Sequence, residues 1–401
     1  MPLHYPRALP AALSSLALAL GLSLSGLGLN LLLPQTAMAQ SAKKPAKSTA
    51  KAAAKKPAKR AAAKRKNAPP SAIAGSAASP GMVAANEARA RAAAGDAAAE
   101  AVAKAAGIAQ RAPGDLLNNA PAEHWREPDA TNLVLMEFKL PGQGAGSENA
   151  QVLMELAPQF APQHAANIRA LVRGGYFDGL AVLRVQDNFV TQWGDPGEGA
   201  DGKVRALPAA AQAKLPAEFD VPLAGLPLQA LAENDGWTPL SGFVDGFAVA
   251  ADPAKTPQGR AWLAHCYGVV GAGRGNEIDS SNGSSLYAII GQPARSLDLN
   301  ITVVGRVLKG IEHLAALPRG SGNMGFYGAP EAKPPLLRAR LLADMPEAER
   351  PSVKVLRTDT STWHELLHSR RHRSGWFVHS SGRVDLCSAN VPVRVSPPTA
   401  K

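Results

Sequence analysis

Between residues 132 and 345 the chain breaks into short β-rich runs separated by glycines and turn formers, and only two helical patterns interrupt the series. LVLMEFKL (133–140) and QVLMEL (151–156) alternate in part, and the intervening PGQGAGSENA is rich in turn formers, so the pair reads as a hairpin. In APQHAANIRALVRGGYFDG (161–179), Pro162 suits a first helical turn. Ala165, Ile168, Leu171 and Val172 make an apolar stripe, and Gly174 and Gly175 supply the stop. AVLRVQDNFVTQWGDP (181–196) reads as two strands around Gln186-Asp187-Asn188. CYGVVGAGRG (266–275), SSLYAIIG (284–291) and ITVVGRVLKG (301–310) are further strands. KGIEHLAAL (309–317) is a second short helix, and PPLLRARLLAD (334–344) a closing strand. Many short strands with two isolated helices predict a mainly β barrel or sandwich and argue against a doubly wound sheet.

The N-terminal third is of another kind. Arg7 followed by an apolar run from Ala8 to Leu33 and by Ala37-Met38-Ala39 has the layout of an export signal cleaved before Gln40. The run is long enough that an uncleaved membrane anchor is the alternative. Residues 43–66 hold eleven Lys/Arg and no acid. The chain is formally +11, so without this run and Arg7 the remainder stands at −1. The basicity therefore belongs to a tail, expected to be disordered, and says nothing about the folded part. Weak contact with an anionic envelope surface is one use for it, and a solvated spacer is the other. Nucleic acid is a poor partner, since the tail has no aromatic residue for stacking. Residues 67–127 stay Ala-rich; 85–106 have helical propensity but no large apolar side chain, and read as linker. The expected layout is a signal at 1–39, a basic and Ala-rich linker at 40–127, a folded domain at 128–345 and a C-terminal extension at 346–401. Cys266 and Cys387 are the only cysteines, and an oxidising compartment would allow them to pair.

One residue in the strand series is out of character: Arg184 sits among Val182, Leu183 and Val185. An ion pair with Asp187 or Asp195 would be a purely structural explanation. Three stretches suggest another. ELAPQFAPQHAANIRALVRGGYFDGLAVLRVQDNFVTQWGDP, YGVVGAGRGNEIDSSNGSSLYAIIG and LDLNITVVGRVLKGIEHL resemble the cyclophilin family in order and spacing, across roughly 132–345. The resemblance implies a closed eight-stranded antiparallel barrel capped by two helices. It also implies peptidyl-prolyl cis/trans isomerase activity on proline-containing segments of client proteins, with no cofactor and no metal. It assigns Arg184 as the catalytic side chain, Phe189 to the proline pocket and Gln192 to the peptide backbone. Ser285, Tyr287 and Leu297 fall at its other substrate-binding positions. With the export signal, a periplasmic location is expected.

The sequence departs from the family pattern at several of these places. Ser285 stands where glutamine is usual, Leu286-Tyr287 replaces Phe-Phe, and Trp193 replaces the first glycine of Gly-Gly-Asp. Ser296 and Ile301 replace bulky or polar residues, and 197–246 is a longer connection than the family needs. A peptide-binding or scaffold protein with weak or no turnover is the alternative these changes leave. Period-two alternation also sets Phe189 and Gln192 on opposite strand faces, so both line one pocket only if the strand bends or bulges.

In the extension, KVLRT reads as a strand, STWHELLHSRRHR as a helix and WFVHSSGRVDLC as a hairpin around Ser381-Gly382. His364-Glu365-Leu366-Leu367-His368 has zinc-protease spacing. His379 and Asp385 are the only nearby third ligands, and the longer pattern fails at Arg371. An amphipathic helix packing Trp363, Leu366 and Leu367 on the barrel, with its histidines at the surface, is the expectation.

Overall fold

The computed structural model describes residues 77–105, 112–142, 148–195, 204–233 and 235–398. The expected signal and the basic run lie outside them. Helices α1 (Pro80–Ala105) and α2 (Pro113–Asn118) and strand β1 (Trp125–Arg126) precede the hairpin β2 (Leu133–Phe138) and β3 (Ala150–Leu156). Helix α3 (Pro162–Arg173), β4 (Ala181–Val185) and β5 (Val190–Gly194) follow. Five strands come next: β6 (Val221–Pro222), β7 (Gln229–Ala230), β8 (Leu240–Val244), β9 (Phe247–Asp252) and β10 (Arg260–Leu263). Then come β11 (Val269–Ala272), β12 (Ser285–Ile289), β13 (Val303–Lys309), α4 (Ile311–Ala315) and β14 (Leu336–Leu341). Strand β15 (Ser352–Leu356), helix α5 (Ser361–Arg371) and β16 (Val393–Ser396) are the last described elements.

Eight antiparallel strands form one sheet in the order β14-β2-β3-β13-β11-β12-β5-β4. The protein is mainly β, and this sheet curls into a nearly closed barrel. Its two edges meet at a seam where Val182 N donates to Pro334 O (2.8 Å) and Leu336 N to Leu180 O (2.7 Å). Alternation fills the interior: Val134, Met136 and Phe138 from β2 and Val152, Met154 and Leu156 from β3 point into one core. The apolar stripes of α3 (Ala165, Ile168, Leu171, Val172) and of α4 (Leu314) are buried in that same core, as the periodicity of both segments predicts.

The long connection expected over 197–246 is more than a connection. It supplies three of the five strands of a second sheet, ordered β6-β10-β9-β8-β7, with a core of its own around Phe243, Val249 and Trp262. Its β6 and β7 have two residues each, too few for any alternation to register beforehand. A disulfide joins Cys266, just beyond β10, to Cys387 (Cα–Cα 5.0 Å).

The expected linker also has structure. Helix α1 lays Gly81, Ala85, Ala88, Ala92 and Ala99 on one buried face against α5 and the second sheet. Small side chains let backbones approach closely, so dispersion over many short contacts replaces the few large apolar anchors that hydropathy detects. Arg371 of α5 pins this arrangement by bridging Asp96 (3.0 Å) and Glu233 (3.0 Å).

The contact is closest at Gly95, where an added methyl would overlap the His364 imidazole. Gly95→Ala therefore sets about 1 kcal/mol of gained helix propensity against a steric overlap. The expected outcome is faster limited proteolysis within 80–105, reversed when His364→Ala is added. Unchanged protection in the single variant would show the contact to be dispensable.

Helix α5 buries Trp363, Leu366 and Leu367 as expected, but against the second sheet: Trp363 meets Phe243 edge-on at 5.1 Å. His364 is buried under α1, not at the surface, with Nδ1 3.4 Å from Asp96. The hairpin expected over 376–387 does not form. Val384 and Leu386 are buried in the second core and Cys387 is tied to Cys266, so the segment is anchored by its side chains and not by a strand pairing of its own. β15 pairs with β1 and β16 instead.

Candidate active site

Arg184, Gln192 and Tyr287 stand in one row across three neighbouring strands. Arg184 of β4 is the registered partner of Gln192 of β5, which is in turn the partner of Tyr287 of β12. Their neighbours Val182, Trp193, Leu286 and Ala288 all belong to the barrel core, so the row lies on the outer face.

Simple alternation would put Arg184 inside with Val182. A bulge prevents it: the register of β4 shifts between Val182 and Arg184, leaving Leu183 as the extra residue. The bulge turns Arg184 out while Val182 and Val185 both stay in the core. The irregularity demanded by the sequence is thus in β4 and not between Phe189 and Gln192. Phe189 reaches the same face differently. It precedes β5, at the exit of a turn in which Asn188 adopts φ 51°, and its N–H donates to Gln186 O (3.2 Å).

Around the row lies a small apolar cluster of Val190, Tyr287, Ile289 and Ala294, with Phe189, Leu297 and Ile301 packed on it. Ser285 is beside it, accepting from Gln192 Nε2 (3.0 Å). All six residues assigned to the site from the sequence therefore converge. Trp193 is fully buried and meets Phe138 edge-on at 6.3 Å, so that departure from the family pattern is a core substitution that leaves the outer face alone.

Arg184 itself is 8% exposed, and its Cζ lies 5.5 Å from the Phe189 ring centroid and 5.3 Å from that of Phe326. Nε donates to Met324 O (2.6 Å) and Nη2 to Gln186 Oε1. It has no carboxylate partner among the described residues. Asp187 pairs with Arg319 (2.9 Å), and Asp195 accepts from the Arg205 N–H (2.7 Å). Burial lowers the pKa of Arg184 from the usual arginine value, yet the guanidinium stays charged at neutral pH. Met324 and Phe326 were not anticipated. They lie on a glycine-rich loop that presses on β4: Tyr327 N donates to Leu183 O (3.0 Å), and Gly325, at φ 78°, passes so close that a Cβ would meet Gln186 Cα at 2.7 Å.

Also unanticipated is what stands behind Tyr287. Its hydroxyl is 2.9 Å from Nε2 of the fully buried His265, whose Nδ1 is 2.9 Å from Asp298 Oδ1. Asp298 Oδ2 accepts from Arg295 Nε (2.7 Å) and Trp262 Nε1 (3.1 Å). Arg295 Nη1 donates on to Asp235 (2.6 Å). The one hint in the sequence was that a buried tyrosine hydroxyl needs a partner. Burial and the Asp298 charge push the Tyr287 pKa far up, so the phenol keeps its proton. Burial opposes charge on Asp298, but the bonds from His265 and Arg295 outweigh it and hold its pKa below the usual aspartate value.

A family model described as "Cyclophilin type peptidyl-prolyl cis-trans isomerase/CLD" matches residues 145–339, the stretch that contains every residue of this row and cluster. The chain carries a cyclophilin-type isomerase domain. A crystal structure of the cyclophilin AquaCyp293 from Hirschia baltica superposes with a TM-score of 0.54 at 25% identity, over 69% of this chain and 95% of that one. Proteins described as probable peptidyl-prolyl cis-trans isomerase from Brucella suis and Brucella melitensis are each 27% identical over 216 residues, 54% of this chain and 85% of theirs. In cyclophilin terms, Tyr287 keeps the aromatic ring expected at its position, and the added hydroxyl is absorbed by His265. The HELLH sequence lies outside the family domain, and its two histidines diverge: His364 faces Asp96, and His368 lies against His372 at 4.4 Å between ring centroids.

Proposed function

We propose that this cyclophilin-type isomerase catalyses rotation about Xaa-Pro bonds of exported or envelope proteins, with Arg184 stabilising the twisted amide. The observation that carries this reading is a buried guanidinium held between two aromatic rings without a counter-ion among the described residues. Removing a cation from water without pairing it is costly, and such a cost is retained where the charge serves a reaction.

Rotation of an amide is opposed by ~18–20 kcal/mol because the C–N bond has double-bond character. At the twisted geometry the prolyl nitrogen regains its lone pair and becomes a hydrogen-bond acceptor. Arg184 uses one donor on Met324 O and one on Gln186 Oε1, which leaves Nη1 and the second Nη2 hydrogen to meet that lone pair. The cluster of Phe189, Tyr287 and Leu297 offers the proline ring an apolar seat. Gln192, aligned by Ser285, is placed to bond the peptide backbone. A donor that is fixed before the substrate arrives favours the twisted state over the planar one.

Export through residues 1–39 to the periplasm and weak contact of the basic run with an anionic envelope surface belong to the same proposal. The Cys266–Cys387 disulfide supports the oxidising compartment. Occupied Arg184 donors and the altered second half of the pocket favour the other reading, a peptide binder with little turnover. Exchange spectroscopy on an Xaa-Pro peptide decides between them. Uncatalysed exchange takes ~10–100 s at 25 °C, and catalytic amounts of the protein are expected to bring it to milliseconds. Binding without acceleration would establish the second reading.

A further inference from the structure

We propose that His265 and Asp298 are positioning residues for the proline pocket, holding Tyr287 and Leu297 in place through one buried hydrogen-bonded chain that originates in the second sheet. The inference rests on the isomerase reading of the site and adds to it the origin of the pocket's shape.

Asp298 is the hub. It directly follows Leu297 in the chain, so whatever fixes its carboxylate fixes the backbone from which Leu297 enters the pocket. Four donors converge on that carboxylate: His265 Nδ1 and N–H on Oδ1 (2.9 and 3.0 Å), and Arg295 Nε and Trp262 Nε1 on Oδ2 (2.7 and 3.1 Å). Because Asp298 accepts at Nδ1, that nitrogen carries the ring hydrogen, which leaves Nε2 to accept from the Tyr287 hydroxyl. One carboxylate thus orients both Leu297 and, through His265, Tyr287.

The Tyr287 ring has space only because Gly271 faces it on β11; a Cβ there would collide with the phenol. Tyr287 is therefore bounded by backbone on one side and by an oriented imidazole at its tip. Trp262 belongs to β10 and His265 to the segment that leaves it, while Asp235, which holds Arg295, comes from the turn before β8. The pocket floor is thereby referenced to the second sheet and not to the barrel alone.

The test is a substitution cycle in the full chain, read by steady-state isomerisation of an Xaa-Pro peptide and by direct titration with the same peptide. Tyr287→Phe removes one oxygen atom and keeps the ring. It is expected to raise KM and the peptide Kd about five-fold with kcat within about two-fold, the size of one neutral buried hydrogen bond. His265→Asn keeps a donor toward Asp298 and loses the acceptor toward Tyr287. It is expected to reproduce that change, and to add nothing in the Tyr287→Phe background. His265→Gln, which offers an amide oxygen near the Nε2 position, is expected to recover part of the loss. Additive effects of Tyr287→Phe and His265→Asn would overturn the proposal. So would a lower unfolding midpoint with unaltered KM and Kd. If the wild-type protein binds the peptide without turning it over, the isomerase reading fails while the Kd cycle still decides the coupling. If it does not bind at all, both fall together.

Discussion

Arg184→Leu is expected to lower kcat/KM for an Xaa-Pro peptide about 100-fold while leaving the unfolding midpoint unchanged or raising it. The two halves of this expectation have one cause. Arg184 is a buried cation with no carboxylate beside it among the described residues, so it contributes little or nothing to stability. Leucine between the Phe189 and Phe326 rings loses two hydrogen bonds and sheds the desolvation penalty of a charge. The reaction loses more. A charge-assisted hydrogen bond contributes about 1.5–3 kcal/mol net, which corresponds to roughly 10- to 150-fold in rate. The upper part of that range applies, because the donor is fixed by Met324 and Gln186 and works in a partly dry pocket. Protease-coupled or exchange measurements alongside thermal unfolding check both halves. A leucine variant as active as the parent would end the proposed role, and a variant that lost stability together with activity would mark the arginine as structural.

Opening the Cys266–Cys387 bridge is expected to cost about 4–5 kcal/mol of stability, the second large effect. The two cysteines are 121 positions apart, and a loop that long confers about this much in the chain-entropy model. The loss falls on the second core, because Leu386 and Ala389 on one side of the bridge and Ala264 on the other are buried in it. Denaturant unfolding of the Cys387→Ser protein, or of the parent with and without reductant, measures the loss. Equal midpoints would show that packing alone holds the extension.

The barrel was legible because its signals are local. Alternation in β2 and β3, the stripe of α3 and the glycines between strands each needs only a short window. That Arg184, Phe189 and Gln192 would share one site was legible only through the family resemblance, which places all three in a single short stretch, 181–196. What escaped detection depends on relations that sequence periodicity does not carry. A bulge at Leu183 is one residue of length, with no compositional mark. Helix α1 binds through glycine and alanine, whose burial adds little to any hydropathy pattern. His265 is 22 residues from the tyrosine it holds, and Met324 is 140 from the arginine it orients. The second sheet is built from strands of two to six residues whose pairing, not their composition, makes them strands.

The extra residue in β4 has a consequence for how this chemistry is inherited. The barrel's interior is indifferent to it, since Val182 and Val185 fill the core on either side. A strand lacking Leu183 would carry Val182, Arg184 and Val185 in plain in-out-in alternation, so the cation would keep its outward aim without any bulge. A one-position gap at Leu183 therefore leaves the outward cation and the packed interior compatible with each other.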